Sequence, residues 1–175
     1  MTITDPSTTP NLDTTPVLLG TDGACSGNPG PAGWAWVASD GRFGAGGCPM
    51  GTNQIAELRA ILLALQDFPN APLTIQTDSA YSIGCCTTWK KGWQARDYRK
   101  ADGKPVMNLD VIKPIHQLLD SGRPPVTFQK VKGHDLSNKW PLNTAADEQA
   151  VQAAAQSRAA RADVLVHGSM TIPGS

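Results

Sequence analysis

The sequence predicts an α/β domain: a five-stranded mixed sheet with helices on both faces and a basic, irregular insert. Three observations carry this. Short apolar runs between turn residues open the chain, the hydrophobic period then switches to that of a helix, and strand-like and helical segments alternate to the end. Val17 to Thr21 reads as the first strand, followed by the turn-rich GACSGNPGPAG. GWAWVA is the second strand, and the region from Arg42 to Gly47 is the third. From Thr52, Leu58, Ile61, Leu62 and Leu65 recur at i, i+3, i+4 and i+7, with Asn53 as a cap and Pro69 beyond the end. Leu73 to Thr77 is a fourth strand, and a strand–helix–strand order implies a parallel crossover. Ala80 to Thr88 and Asp110 to Leu119 read as helices, Pro124 to Val131 as the fifth strand, and Asn143 to Arg161 as a long Ala-rich helix. Residues 1–16, rich in Thr and Pro, read as a disordered leader. The domain then occupies 17–161, and 162–175 is a tail without clear period.

A chain of 175 residues, 40% apolar and 17% charged, suits one domain with its own core. No run approaches the roughly 18 apolar residues of a membrane span, and the N-terminus lacks signal-peptide features. A cytoplasmic protein without membrane contact is expected. Cys25, Cys48, Cys85 and Cys86 lack paired C-x-x-C spacing, so reduced thiols are expected and neither a zinc site nor a disulfide framework. The zero net charge hides a split. Residues 1–88 carry two Lys/Arg against seven Asp/Glu, residues 89–139 eleven against five, and residues 140–175 two against three. An acidic half beside a basic insert can bring metal ligands and a phosphate-binding surface together, although such a run also suits a solvated face.

Four acids stand out by position. Asp22 is expected at the end of the first strand, Asp78 at the end of the fourth, and Glu57 and Asp147 one turn into the two long helices. Carboxyl ends of strands are where open α/β sheets place their sites, and both helical acids fall on or beside an apolar stripe. Singly, each acid also fits a turn or a helix first turn. Jointly they form an all-oxygen set that needs a hard divalent cation, Mg²⁺ or Mn²⁺. Two such ions about 4 Å apart can bracket an in-line displacement at phosphorus.

The residues TDGACSGNPGPAGW at 21–34, TNQIAEL at 52–58, TDSAY at 77–81, WKKGW at 89–93, KPVMN at 104–108 and VKGH at 131–134, followed by NTAAD at 143–147, resemble type 1 ribonuclease H, as in bacteria. The resemblance runs from Val17 to Ala155. It implies the ribonuclease H fold and endonucleolytic hydrolysis of the RNA strand of an RNA/DNA hybrid, leaving 5′-phosphate and 3′-hydroxyl ends. It further implies two Mg²⁺ ions, with Mn²⁺ an alternative, held by Asp22, Glu57, Asp78 and Asp147, Asp22 being shared between them. His134 matches a loop histidine that assists proton transfer or product release. A monomer is expected from the family and the balanced charge.

Substrate contacts follow from the same resemblance. Asn28, Asn53 and Gln54 match residues near the RNA 2′-hydroxyls, Thr52 and Asn108 a pocket for a DNA phosphate, and Tyr81 an aromatic against the DNA strand. Asn28 and Asn53 also fit turn and cap roles. Trp89, Lys90, Lys91 and Trp93 open the basic protrusion, which continues through Arg96, Arg99, Lys100 and Lys104, and its phosphate contacts should be sequence-tolerant. His116 and His167 match nothing and read as surface or partly buried. The chain departs from the pattern in three places. The stretch from Ser79 to Trp93 is about one turn short, Ile55 replaces an arginine, and the loop from His134 to Asp147 is longer and includes Trp140. Two other readings share parts of these features: a ribonuclease H-like nuclease of different specificity, and a silent hybrid-binding module.

Overall fold

The parallel pairing of the first and fourth strands decides where the acids meet. In the computed structural model, which describes residues 15–173, β1 (Val17–Cys25), β2 (Gly30–Ala38) and β3 (Arg42–Gly51) form an antiparallel meander. Helix α1 (Asn53–Asp67) then crosses to β4 (Leu73–Thr77), which lies parallel to β1 with Gly20 opposite Gln76. Next come α2 (Ala80–Cys86), α3 (Lys90–Ala95), α4 (Leu109–Leu119), β5 (Val126–Lys130), α5 (Pro141–Ala160) and β6 (Val164–Ser169). The sheet order is β5-β4-β1-β2-β3-β6. Most of the expected leader, residues 1–14, lies outside the described residues.

The two faces are packed differently. On one, Leu19, Trp34, Trp36 and Ile75 meet Leu58, Ile61 and Leu65 of α1 and Ile112 and Ile115 of α4, burying large side chains worth about 1.5–3 kcal/mol each. On the other, the Ala-rich α5 lies close to the sheet, with Ala35 and Ala45 against Ala150 and Ala153. A side chain at Gly33 would collide with the Ala150 carbonyl, so this helix approaches only over small residues. Thr52 caps α1 by accepting from the Ile55 N–H at 3.2 Å.

The structure corrects the sequence reading at several points: Thr52 rather than Asn53 caps α1, and larger differences lie elsewhere. The sheet has six strands, because the stretch after Arg161 pairs with β3 from Gly47 opposite Val164 to Arg42 opposite Ser169. Strand β1 runs on to Cys25, since its pairing with β2 continues after that with β4 has ended. Asp22 therefore lies within β1, two residues past its last partner in β4. The insert contains α3 and an isolated bridge between Arg99 and Pro105, and α5 begins at Pro141. All four cysteines are free thiols, and among the described residues no helix is long and apolar enough to cross a membrane.

Candidate active site

Three carboxylates converge where β1, β4 and the first turn of α1 meet. One oxygen each from Asp22, Glu57 and Asp78 lies within 4.8 Å of the others. Asp22 is only 4% exposed and accepts the Gly23 N–H at 2.9 Å. Glu57 Oε2 is buried without a hydrogen-bond partner. Burial and the charge of Asp22 push the Glu57 carboxyl well up. Burial raises Asp22 as well, against the hydrogen bond it shares with Glu57, and Asp78 and Asp147 add repulsion. Asp78 is raised by burial, while His134 and Lys130 pull it the other way. Such a cluster is costly unless a cation neutralises it. The orphaned Glu57 oxygen and the all-carboxylate donor set fit a hard divalent ion.

Asp147, half-buried on α5, lies outside the tight trio but close enough for its charge to act on Asp22 and Asp78. The helix is tied to β1 beside it, where Asn143 Nδ2 donates to the Thr21 carbonyl at 3.1 Å. His134 is exposed at a left-handed φ of 50° in the loop before α5, near Asp78. Gly133 has no freedom to carry a side chain, because a Cβ there would strike the Asp78 carboxylate.

A polar and aromatic surface adjoins this centre. Asn28 Oδ1 accepts from the Asn53 N–H at 3.2 Å, joining the β1–β2 turn to the start of α1. Asn108, in left-handed conformation at the start of α4, donates to Tyr81 Oη at 2.9 Å and to Gln54 Oε1 at 3.4 Å. Burial pushes the Tyr81 phenol up to about 12, so it remains neutral. Trp89, 41% exposed, lies 6.1 Å from Tyr81 and 5.6 Å from Trp93 between ring centroids. Lys91, Arg96, Arg99, Lys100 and Lys104 face solvent around them.

Comparison with known proteins gives this arrangement a family. The RNase H family model matches residues 14–155. The chain belongs to the RNase H family. It is 45% identical over 146 residues to "Ribonuclease HI" of Streptomyces coelicolor, covering 79% of this chain and 62% of that protein. It is 40% identical over 140 residues to "Ribonuclease H" of Tropheryma whipplei (strain Twist), covering 79% and 84%. Among solved structures it resembles LC9-RNase H1, a type 1 RNase H with the type 2 active-site motif, with a TM-score of 0.69, 24% identity, and 82% and 75% of the two chains covered. It also resembles LC11-RNase H1 in complex with RNA/DNA hybrid, with a TM-score of 0.57, 21% identity, and 81% and 98% covered. As a member of that family the chain is a nuclease, of the hydrolase class.

Within this RNase H domain the candidate residues fall into three groups. Asp22, Glu57 and Asp78 form the tight cluster, with Asp147 and His134 around it. Asn28, Thr52, Asn53, Gln54, Tyr81 and Asn108 form one connected surface through the contacts above. Of the protrusion residues, Trp89, Trp93 and Lys91 keep accessible surface, whereas the Lys90 ammonium is held by Asp120, which also accepts from Gln94 at 2.8 Å. Sequence reasoning missed the anchor of the protrusion. His116 is not a surface residue: it is 1% exposed, its Nδ1 lies 2.9 Å from Tyr98 Oη and its Nε2 2.8 Å from the Cys85 carbonyl. Burial lowers its pKa, so it is a neutral imidazole joining α2, α4 and the insert. The signal was present, since His116 follows Ile112 by four residues on the apolar face of α4.

Proposed function

We propose that this chain hydrolyses the RNA strand of RNA/DNA hybrids, leaving 5′-phosphate and 3′-hydroxyl ends. In this reading Asp22, Glu57, Asp78 and Asp147 hold two Mg²⁺ ions when substrate is bound, with Mn²⁺ able to replace them. The single observation that carries it is the buried carboxylate trio with the unpartnered Glu57 oxygen, at the end of the parallel β1–β4 pair. When bound, the ions supply Lewis-acid stabilisation of the attacking and departing oxygens of an in-line displacement.

The chain's own residues do the rest. Asp22, buried within β1 in the middle of the sheet, would be the ligand shared between the two ions. His134 takes or returns a proton at the edge of the centre, where its exposed loop lets it reach water and product. Asn28, Asn53 and Gln54 offer short amides to RNA 2′-hydroxyls across a minor groove. The caps of α1 and α4, Thr52 and Asn108, present donors to a DNA phosphate where helix N-termini favour negative charge. Tyr81, Trp89 and Trp93 pack against the deoxyribose side, and Lys91 with its neighbouring cations adds affinity without sequence preference. Lys90 acts through Asp120 to brace α3.

The test is cleavage of end-labelled RNA as hybrid, as RNA duplex, as single strand, and as hybrid with chelator. Metal-dependent cutting of the hybrid alone, with 5′-phosphate ends and loss of activity in Asp78→Asn, is expected. Binding without cutting would favour a silent module, and cutting of other duplexes a different nuclease.

A further inference from the structure

The stretch after Arg161 returns along α5 and brings Ile172 beneath the helix's first turn. Arg161, at a left-handed φ of 52°, closes the helix, and Ser157 Oγ donates to the Ala162 carbonyl at 2.6 Å. Strand β6 then follows the edge of β3, and the Met170 N–H donates to the Gly41 carbonyl at 2.8 Å. His167 Nε2 lies 2.8 Å from Asp67 Oδ2, the oxygen that also accepts from Trp36 Nε1 at 2.7 Å. Beyond this clip Ile172, 6% exposed, packs with Leu142, Ala145, Ala146 and Val37. The lengths agree, since α5 has 20 residues and is about 30 Å long, while extended chain from Ala162 to Ile172 reaches about 36 Å.

The far end of this strap lies under the residues that flank Asn143 and Asp147. The first turn of a helix has few bonds of its own, and Trp140 at the cap makes no side-chain hydrogen bond to it. Besides the bonds of the Thr144 N–H and hydroxyl to the Trp140 carbonyl, order there draws on packing and on the bond from Asn143 to the Thr21 carbonyl. We propose that Ile172 is a positioning residue for Asp147: the C-terminal strap wedges the first turn of α5 against the sheet and so holds that carboxylate toward Asp22 and Asp78. This rests on the reading of Asp147 as a metal ligand. Ile172 touches neither substrate nor metal in this account; it acts through Leu142, Ala145 and Ala146.

The experiment compares the full chain with Ile172→Ala, Ile172→Leu and Leu165→Ala, the last an exposed β6 side chain. It measures kcat, KM and half-saturating Mg²⁺ well below the melting temperature, together with amide hydrogen exchange across α5. Ile172→Ala should lower kcat about tenfold and raise half-saturating Mg²⁺ about fivefold with little change in KM. It should also speed exchange at Thr144 to Glu148 but not in the second half of the helix. Ile172→Leu, which keeps the volume, should restore all of these, and Leu165→Ala should change none. A lowered melting temperature with wild-type kcat, Mg²⁺ dependence and exchange would overturn the proposal and leave the strap a purely structural brace. A wild-type chain that cuts no hybrid would overturn the proposed function instead, and the exchange pattern would still decide whether the strap holds this turn. If Ile172→Ala fails to fold at the assay temperature, Ile172→Val replaces it, and an absence of any shift in the same direction counts against the proposal.

Discussion

The acidic centre and the basic protrusion are built on opposite energetic terms. At the centre, Asp22, Glu57 and Asp78 are buried or half-buried and converge on one another, and one Glu57 oxygen has no hydrogen-bond partner. In the protrusion most charges stand in solvent, while the groups that anchor it are satisfied: the buried His116 between Tyr98 and Cys85, and the exposed Asp120 between Lys90 and Gln94. In the proposed function, residues of the centre reduce stability in return for chemistry, whereas those of the protrusion would give affinity at little structural cost. The contrast teaches that catalytic groups are recognisable by what they lack and binding groups by how well their supports are completed.

Asp78→Asn is the largest break in that contrast. It should lower cleavage by about 10³-fold while hybrid binding stays within a few-fold of wild type. Single-turnover cleavage beside equilibrium binding reads both. Replacing Lys91, Arg96 and Lys100 together by Ala should do the reverse. Affinity should fall, the dependence of log K on log salt should flatten by up to about three units, and kcat should hold. Titrations across a salt series check it.

Stability separates the regions further. Asp22 and Glu57 bind protons more tightly in the folded chain than in the unfolded one, so their contribution to the stability of the metal-free protein is fully present only below the ordinary carboxylate range. That stability is lost as pH rises through their raised values. Glu57→Gln should therefore stabilise the chelated protein by about 1–3 kcal/mol at pH 8 and by little at pH 4, as thermal unfolding would show. Tyr98→Phe is the smallest effect. It removes the partner of His116 Nδ1 and should destabilise by about 1 kcal/mol without changing the metal dependence of activity.

Much of this was legible in the sequence, and the exceptions share a cause. The helical period around Leu58, Ile61 and Leu65 is a local signal, and the observed α1 follows it. The acids could be assembled because a strand–helix–strand order dictates a parallel pair, which β1 and β4 form. What stayed hidden depends on distant partners. Strand β6 has no period of its own and exists because β3 offers an edge, and β1 extends past Thr21 because β2 continues beside it. The first turn of α5 was missed for a similar reason: Pro141 and Leu142 read as loop until Ile172 packs against Leu142. Lys90 is basic by sequence, yet its ion pair with Asp120 crosses to the end of α4.

The central claim, that the buried acids require a divalent ion, is tested most directly by thermal unfolding at pH 8 with and without Mg²⁺, for wild type and Glu57→Gln. Mg²⁺ is expected to raise the melting temperature of wild type, and Glu57→Gln to start higher and gain less. Equal shifts in both proteins, or none in either, would contradict the claim.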